Sequence, residues 1–154
     1  MLPHDEEDDE PEPIDLSKLT CLKSFTVCLF SGYIDRTTMD SYRWLSRILR
    51  TGNSQLEEVS IKVTSEHGQL PVDIMPWKDV CDVLLSKCFQ NMSRLSILIA
   101  SSEQTEVDAV VEALNAFEWI EKLRLCPDLN VVVKGSRFCC VLILCIHHLH
   151  HSSY

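Results

Sequence analysis

The sequence predicts an α/β fold: a short, irregular stack of strand–helix units whose strands run parallel. Two observations carry this. One eight-residue pattern, apolar-x-x-apolar-x-apolar-x-apolar, recurs along the chain, and between its copies the apolar period changes from that of a strand to that of a helix. A third observation concerns the strands themselves. They keep polar residues at alternate positions, so one face of the sheet is expected to stay wet.

Residues 1–13 carry seven acids and no Lys or Arg, so they repel themselves and are expected to be a disordered tail. The first copy of the pattern runs over 22–29, with Leu22, Phe25, Val27 and Leu29 apolar and Lys23, Ser24 and Thr26 between them. Gly32 marks the connection that follows. Residues 39–50 then place Tyr42, Leu45, Ile48 and Leu49 on one side of a helix, with Asp40 or Ser41 as its N-cap. Gly52-Asn53 turns the chain into the second copy, 56–63, built on Leu56, Val59, Ile61 and Val63.

The stretch 64–76 reads as a long polar, proline-containing loop. Residues 77–90 form a helical stripe of Trp77, Val80, Cys81, Leu84, Leu85 and Cys88. The third copy, 92–99, uses Met92, Leu95, Ile97 and Ile99. A helix over 106–118 follows, with Val107, Val110, Val111, Leu114 and Phe117 inward. A shortened fourth copy, Ile120–Leu125, is expected as a strand that Cys126-Pro127 stops. Starts at 22, 56, 92 and 120 give spacings of 34, 36 and 28 residues. Val131–Val133 reads as one more strand, turning at Lys134-Gly135.

Two architectures satisfy this order. An open stack sets each strand beside the last with all helices on one side. A doubly wound sheet covers both faces and needs inner strands apolar throughout. The polar alternation (Lys23, Ser24, Thr26; Glu57, Glu58, Ser60, Lys62; Glu121, Lys122, Arg124) favours the open stack.

The net charge of −9 is a property of the tail. Beyond residue 13 the chain holds 16 of its 23 acids against 14 basic residues. A nearly neutral body with no basic stripe argues against nucleic acid as partner, because phosphate neutralisation dominates such binding. The acidic start does not resemble a secretory signal, so the eight cysteines are expected as reduced thiols in a cytoplasmic or nuclear protein. No CxxC pair supports a structural zinc site.

The run Ile14-Asp-Leu-Ser-Lys-Leu-Thr-Cys-Leu-Lys-Ser-Phe-Thr-Val resembles a phrase of the leucine-rich-repeat-like regions of F-box proteins from mushroom-forming fungi. Trp44-Leu-Ser-Arg-Ile-Leu with Leu56-Glu-Glu-Val-Ser-Ile is similar to their next unit, and Trp77 and Val83-Leu-Leu with Leu95-Ser-Ile to the one after. The likeness covers about residues 14–125. It implies a repeat region that holds a protein substrate. No F-box is recognisable in this chain, so ligase recruitment does not carry over.

The domain plan is then a tail over 1–13, a repeat-like domain over 14–134, and an apolar then histidine-rich segment over 135–154. In that last segment Phe138–Ile146 is about half the length a bilayer span needs, so no membrane span is expected. It reads as a buried closing element, an atypical cap or a frame artefact. His147, His148, His150 and His151 read as a solvated cluster with no further ligand spaced to complete a metal site.

No catalytic motif is present: no G-x-S-x-G, P-loop, G-x-G-x-x-G or H-E-x-x-H. His67 stands alone, Asp79 and Asp82 mark a solvated helix face, and Glu57 and Glu58 point to opposite sides of a strand. Trp44, Trp77 and Trp119 are expected as core anchors. The leading expectation is a non-catalytic scaffold, without cofactor, that meets a protein partner through Lys23, Ser60, Lys62, Ser96, Lys122 and Arg124 on its exposed strand face. Two other readings stay open: a truncated fragment without independent function, and a small α/β enzyme whose site is unreadable in sequence.

Overall fold

The computed structural model describes residues 14–31, 36–65, 77–86 and 89–137. The segment 1–13, Gly32, His67 with the rest of 66–76, Cys88 and everything after 137 lie outside them. Four strands, β1 (Ser24–Ser31), β2 (Glu58–Ser65), β3 (Arg94–Ser101) and β4 (Asn130–Arg137), pair in the order β1-β2-β3-β4, each pair parallel. Helices α1 (Arg36–Arg50), α2 (Trp77–Leu84), α3 (Gln104–Asn115) and α4 (Glu118–Arg124) lie in the crossovers. Right-handed crossovers between strands laid down in sequence put every helix on one side of the sheet. Accordingly α1 lies against α2, α2 against α4, and α3 against both β3 and β4.

Burial follows the pleat. On the helix side Val59, Ile61 and Val63 of β2 and Leu95, Ile97 and Ile99 of β3 are at most 4% exposed. The residues between them, Ser60, Lys62, Thr64, Ser96 and Leu98, are half-exposed. A doubly wound sheet would bury both sets. The parallel strand–helix stack expected from the alternation is what forms.

The units are held in step by their register. Val27, Ile61, Ile97 and Val133 form one row across the sheet, so successive strands are offset by 34, 36 and 36 residues. Each strand is preceded by a turn closed by an i→i+3 bond: Leu22 N to Leu19 O, Leu56 N to Asn53 O, Met92 N to Phe89 O and Leu129 N to Cys126 O. The amides of Glu57 and Glu58 then donate to Lys23 O, those of Ser93 and Arg94 to Glu57 O, and that of Asn130 to Ser93 O. The fourth turn sits one residue closer to its strand. Asp128 absorbs the difference with φ 66, a left-handed conformation that a short polar side chain tolerates.

The phrase Ile14-Asp-Leu-Ser has a local physical account. Asp15 accepts from the amide (3.0 Å) and hydroxyl (2.5 Å) of Ser17, capping the short 3-10 helix Leu16–Lys18. That turn drops Leu16 into the core at 1% exposure, and the Leu16 amide donates to Thr51 Oγ at 2.8 Å. Asn53 Nδ2 donates to Leu16 O (2.9 Å) and Leu19 O (3.0 Å), so the second unit's turn holds the first.

Several boundaries differ from expectation. Residues 120–125 are not a strand: Glu118–Arg124 is helix α4. Its Ile120 and Leu123 are buried at helical spacing while Leu125 is 82% exposed. Glu118 and Glu121 fall in the first turn and Lys122 and Arg124 in the last, the arrangement a helix dipole favours. The fourth strand is β4, in which Lys134 and Gly135 are interior residues and not a turn.

Helix α1 begins at Arg36, so Asp40 and Ser41 fall inside it and not at its N-cap position. Its polar start, Arg36-Thr-Thr, adds no apolar period and was invisible to that signal. Helix α2 stops at Leu84, because the chain must turn to bury Phe89 ahead of β3; Leu85 is therefore 37% exposed and outside the stripe. Helix α3 ends at Asn115, with Phe117 as the joint to α4. Strand β2 runs on to Ser65.

Two glycines mark close approaches between units. A Cβ on Gly135 would lie 2.4 Å from Val107 Cγ1 of α3, which is fully buried, and one on Gly52 would lie 2.5 Å from Phe89 Cζ. Val107 is β-branched and stiff at χ1, so it has little freedom to give way. Replacing Gly135 by Ala is expected to cost about 1–3 kcal/mol, the usual range for overpacking. The check is the urea midpoint. An unchanged midpoint would mean that α3 does not rest on β4 as described.

Candidate functional site

The face of the sheet that no described helix covers is the surface to which the strands bring polar and charged side chains. Register places them in cross-strand rows: Ser24, Glu58, Arg94, Asn130; then Thr26, Ser60, Ser96, Val132; then Cys28, Lys62, Leu98, Lys134. Neighbouring strands lie about 4.8 Å apart, so one row spans roughly 15 Å. The second row offers three hydroxyls in succession. The third sets two ammonium groups on either side of Leu98. Lys62, Arg94 and Lys134 against Glu58 leave these rows with net positive charge.

Of the six residues expected on this face, Ser60, Lys62 and Ser96 lie on it, with Ser60 and Ser96 as direct register partners. Lys23 sits just before β1, where its Nζ pairs with Glu57 Oε1 at 2.9 Å. The hydrogen bond to Glu57 raises the Lys23 pKa, with the carboxylate's charge adding to it. Lys122 and Arg124 are elsewhere. Both belong to α4: Lys122 Nζ pairs with Glu118 at 2.8 Å and lies 3.8 Å from the Trp119 ring centroid, and Arg124 donates to Asn115 Oδ1. Arg124 thus links α4 to α3, whereas the partners of Lys122 lie on α4 itself. Both residues were misplaced because Ile120–Leu125 fits both periods.

Arg94, Leu98 and Lys134 belong to the face and were missed. Counting 36 residues from Leu95 lands on Val131, the signal that would have found β4 and with it Lys134.

The tryptophans divide. Trp77 is a core anchor at 5% exposure, whereas Trp44 is 38% exposed and does not anchor the core. Trp119 is half-buried beneath Lys78 and Lys122. The hydrogen bond between Lys78 and Asp82 (2.9 Å) raises the lysine's pKa, and that from Lys122 lowers the pKa of Glu118. These are solvent-exposed pairs and contribute little to stability.

Helix α1 carries a feature the sequence reading overlooked. Arg43, Arg47 and Arg50 are exposed at spacings of four and three, so they share one side of the helix, opposite the buried Leu45, Ile48 and Leu49. The body does have a basic stripe. It escaped notice because apolar residues separate its members in sequence. Arg50 also lines an open cleft of about 350 Å³ with Asp79, Asp82, Val83 and Ser86.

Among the described residues, no three His, Cys, Asp or Glu groups converge to hold a metal, and no helix is long and apolar enough to cross a membrane. Cys21, Cys28, Cys81 and Cys126 are free thiols. No protein-family model, curated protein or solved structure matches the chain.

The thiols differ sharply. Burial pushes Cys81 up to about 12, with Asp82 adding to the effect, whereas Cys21 and Cys28 are exposed. In the native protein Cys21 and Cys28 should react with a maleimide while Cys81 reacts only after unfolding, as mapped by peptide mass spectrometry. Because the folded state holds the Cys81 proton more tightly than the unfolded chain, its contribution to stability is complete below about pH 9 and is lost as pH rises toward 12. Thermal melts of the native chain and of Cys81→Ala should therefore converge above pH 9. Parallel pH profiles would contradict the assignment.

Proposed function

We propose that this chain is a non-catalytic interaction scaffold whose uncovered sheet face receives an extended segment of a protein partner. This is the role the resemblance implies for the substrate-holding repeats of F-box-type proteins. The observation that carries the proposal is one-sided coverage: among the described residues the helices pack on one face of a four-stranded parallel sheet, and the other face carries mostly polar side chains interrupted by Leu98, Ala100 and Val132.

The chemistry of that face suits main-chain and acidic groups of a partner. The hydroxyls of Thr26, Ser60 and Ser96 both donate and accept, and Lys62, Arg94 and Lys134 supply cations. Strand side chains hold fixed positions, so little order has to be imposed when a partner binds. Exposed free thiols at Cys21 and Cys28 fit a reducing compartment, the cytoplasm or nucleus.

The test is affinity capture from the native host with three baits: the native chain, Ser60→Arg/Ser96→Arg, and Glu112→Arg on the outer side of α3. Arginines at the paired positions 60 and 96 repel one another, so the double variant is used as bait only with a far-UV spectrum and melting curve that show it folded. A partner recovered by the native chain and Glu112→Arg, and at least tenfold less by the double variant, is the expected outcome. Equal recovery by all three would remove the sheet face from consideration.

A further inference from the structure

Uncompensated charge on the sheet face that no described helix covers is concentrated in one row. In the row Ser24, Glu58, Arg94, Asn130 the two charged residues are register partners of opposite sign. The row Cys28, Lys62, Leu98, Lys134 holds no acid, and its lysines stand on the strands to either side of Leu98. Among the described residues neither lysine makes an ion pair. The ground between them is apolar. Leu98 is half-exposed, Val132 lies diagonally from it on β4 and is also half-exposed, and Ala100, two residues beyond Leu98 on β3, is buried.

An apolar patch between two uncompensated ammonium groups suits a ligand of the complementary pattern. Resting on the reading of this face as the surface that receives a partner's extended segment, we propose that the segment carries the pattern acid-x-apolar-x-acid and crosses the strands along this row. Its apolar residue lies on Leu98 and its two carboxylates reach Lys62 and Lys134. The spacing fits. Each lysine is one strand from Leu98, about 4.8 Å. In an extended segment, side chains two residues apart share a face and are about 6.7 Å from one another. Each carboxylate then falls about 2 Å beyond the strand of its lysine, a gap that the flexible four-carbon stem spans. Acids directly adjoining the apolar residue would point away from the sheet.

The two parts of the pattern act differently. Exposed ion pairs are individually weak, so the acids mainly fix register and orientation. The apolar residue, removed from water against Leu98 and Val132, supplies the larger attraction. A nucleic-acid backbone would meet the lysines and leave the apolar patch without a partner, so the row favours a peptide.

Amide NMR of the full chain, titrated with capped peptides at low salt, tests this. Gly-Glu-Ser-Leu-Ser-Glu-Gly should shift the amides of residues 62, 98, 132 and 134. The same peptide with Gln for both Glu, or with Ser for Leu, should bind about fivefold more weakly, the effect of two exposed ion pairs or of one partly buried side chain. Lys62→Gln/Lys134→Gln should erase the difference between the Glu and Gln peptides and keep the difference between Leu and Ser, a result that an unfolded variant does not give. Equal affinity of the native chain for the Glu and Gln peptides, tighter binding of a single-stranded oligonucleotide at the same amides, or no shift with any peptide would each overturn the proposal. If affinity capture then still yields a partner that Ser60→Arg/Ser96→Arg loses, the face binds and only the pattern is wrong.

Discussion

Everything in this fold depends on register. Four parallel strands carry their apolar residues at the same parity, so rows such as Val27–Ile61–Ile97–Val133 form only when each strand is offset by a fixed even number of residues. A slip of one residue would turn every apolar side chain to the solvent face. The turns ahead of the strands, with their repeated amide donations to Lys23, Glu57 and Ser93 carbonyls, hold that offset in the folded chain. Truncating one buried member such as Ile61 or Ile97 to alanine removes about 2–5 kcal/mol, which surface ion pairs do not match.

The same constraint produces the surface on which the proposed function rests. Burying one parity against helices leaves most of the other parity accessible, and there the chain sets hydroxyls and cations around Cys28, Leu98 and Val132, with Ala100 alone buried among the described residues. The helix layer is closed separately, by Trp119 between Lys78 and Lys122 and by Gly135, whose missing side chain lets α3 rest on β4. Stability thus lives on one face, and the binding proposed for this chain uses the other.

The strand–helix order and three of the four strands were legible because Val, Ile, Leu and Phe alternate with polar residues there. The fourth unit was misread because Ile120-Glu-Lys-Leu123-Arg-Leu125 satisfies both a strand and a helix template. Only the contact environment shows that Leu125 stays in solvent. Half of the expected face residues, Ser60, Lys62 and Ser96, followed from parity alone, while Lys122 and Arg124 fell with the misread strand. The arginine stripe of α1 was missed for a related reason: a net charge summed over the body hides a single helical face.

Thiol reactivity along β2 measures the one-sided sheet most directly. Cysteine placed singly at Val59, Ser60, Ile61, Lys62, Val63 and Thr64, with labelling of the native protein followed residue by residue, should show a period of two. Positions 60, 62 and 64 should label readily, and positions 59, 61 and 63 at least a hundredfold more slowly. Uniform protection at all six would mean that both faces are covered, and the open sheet face would not exist.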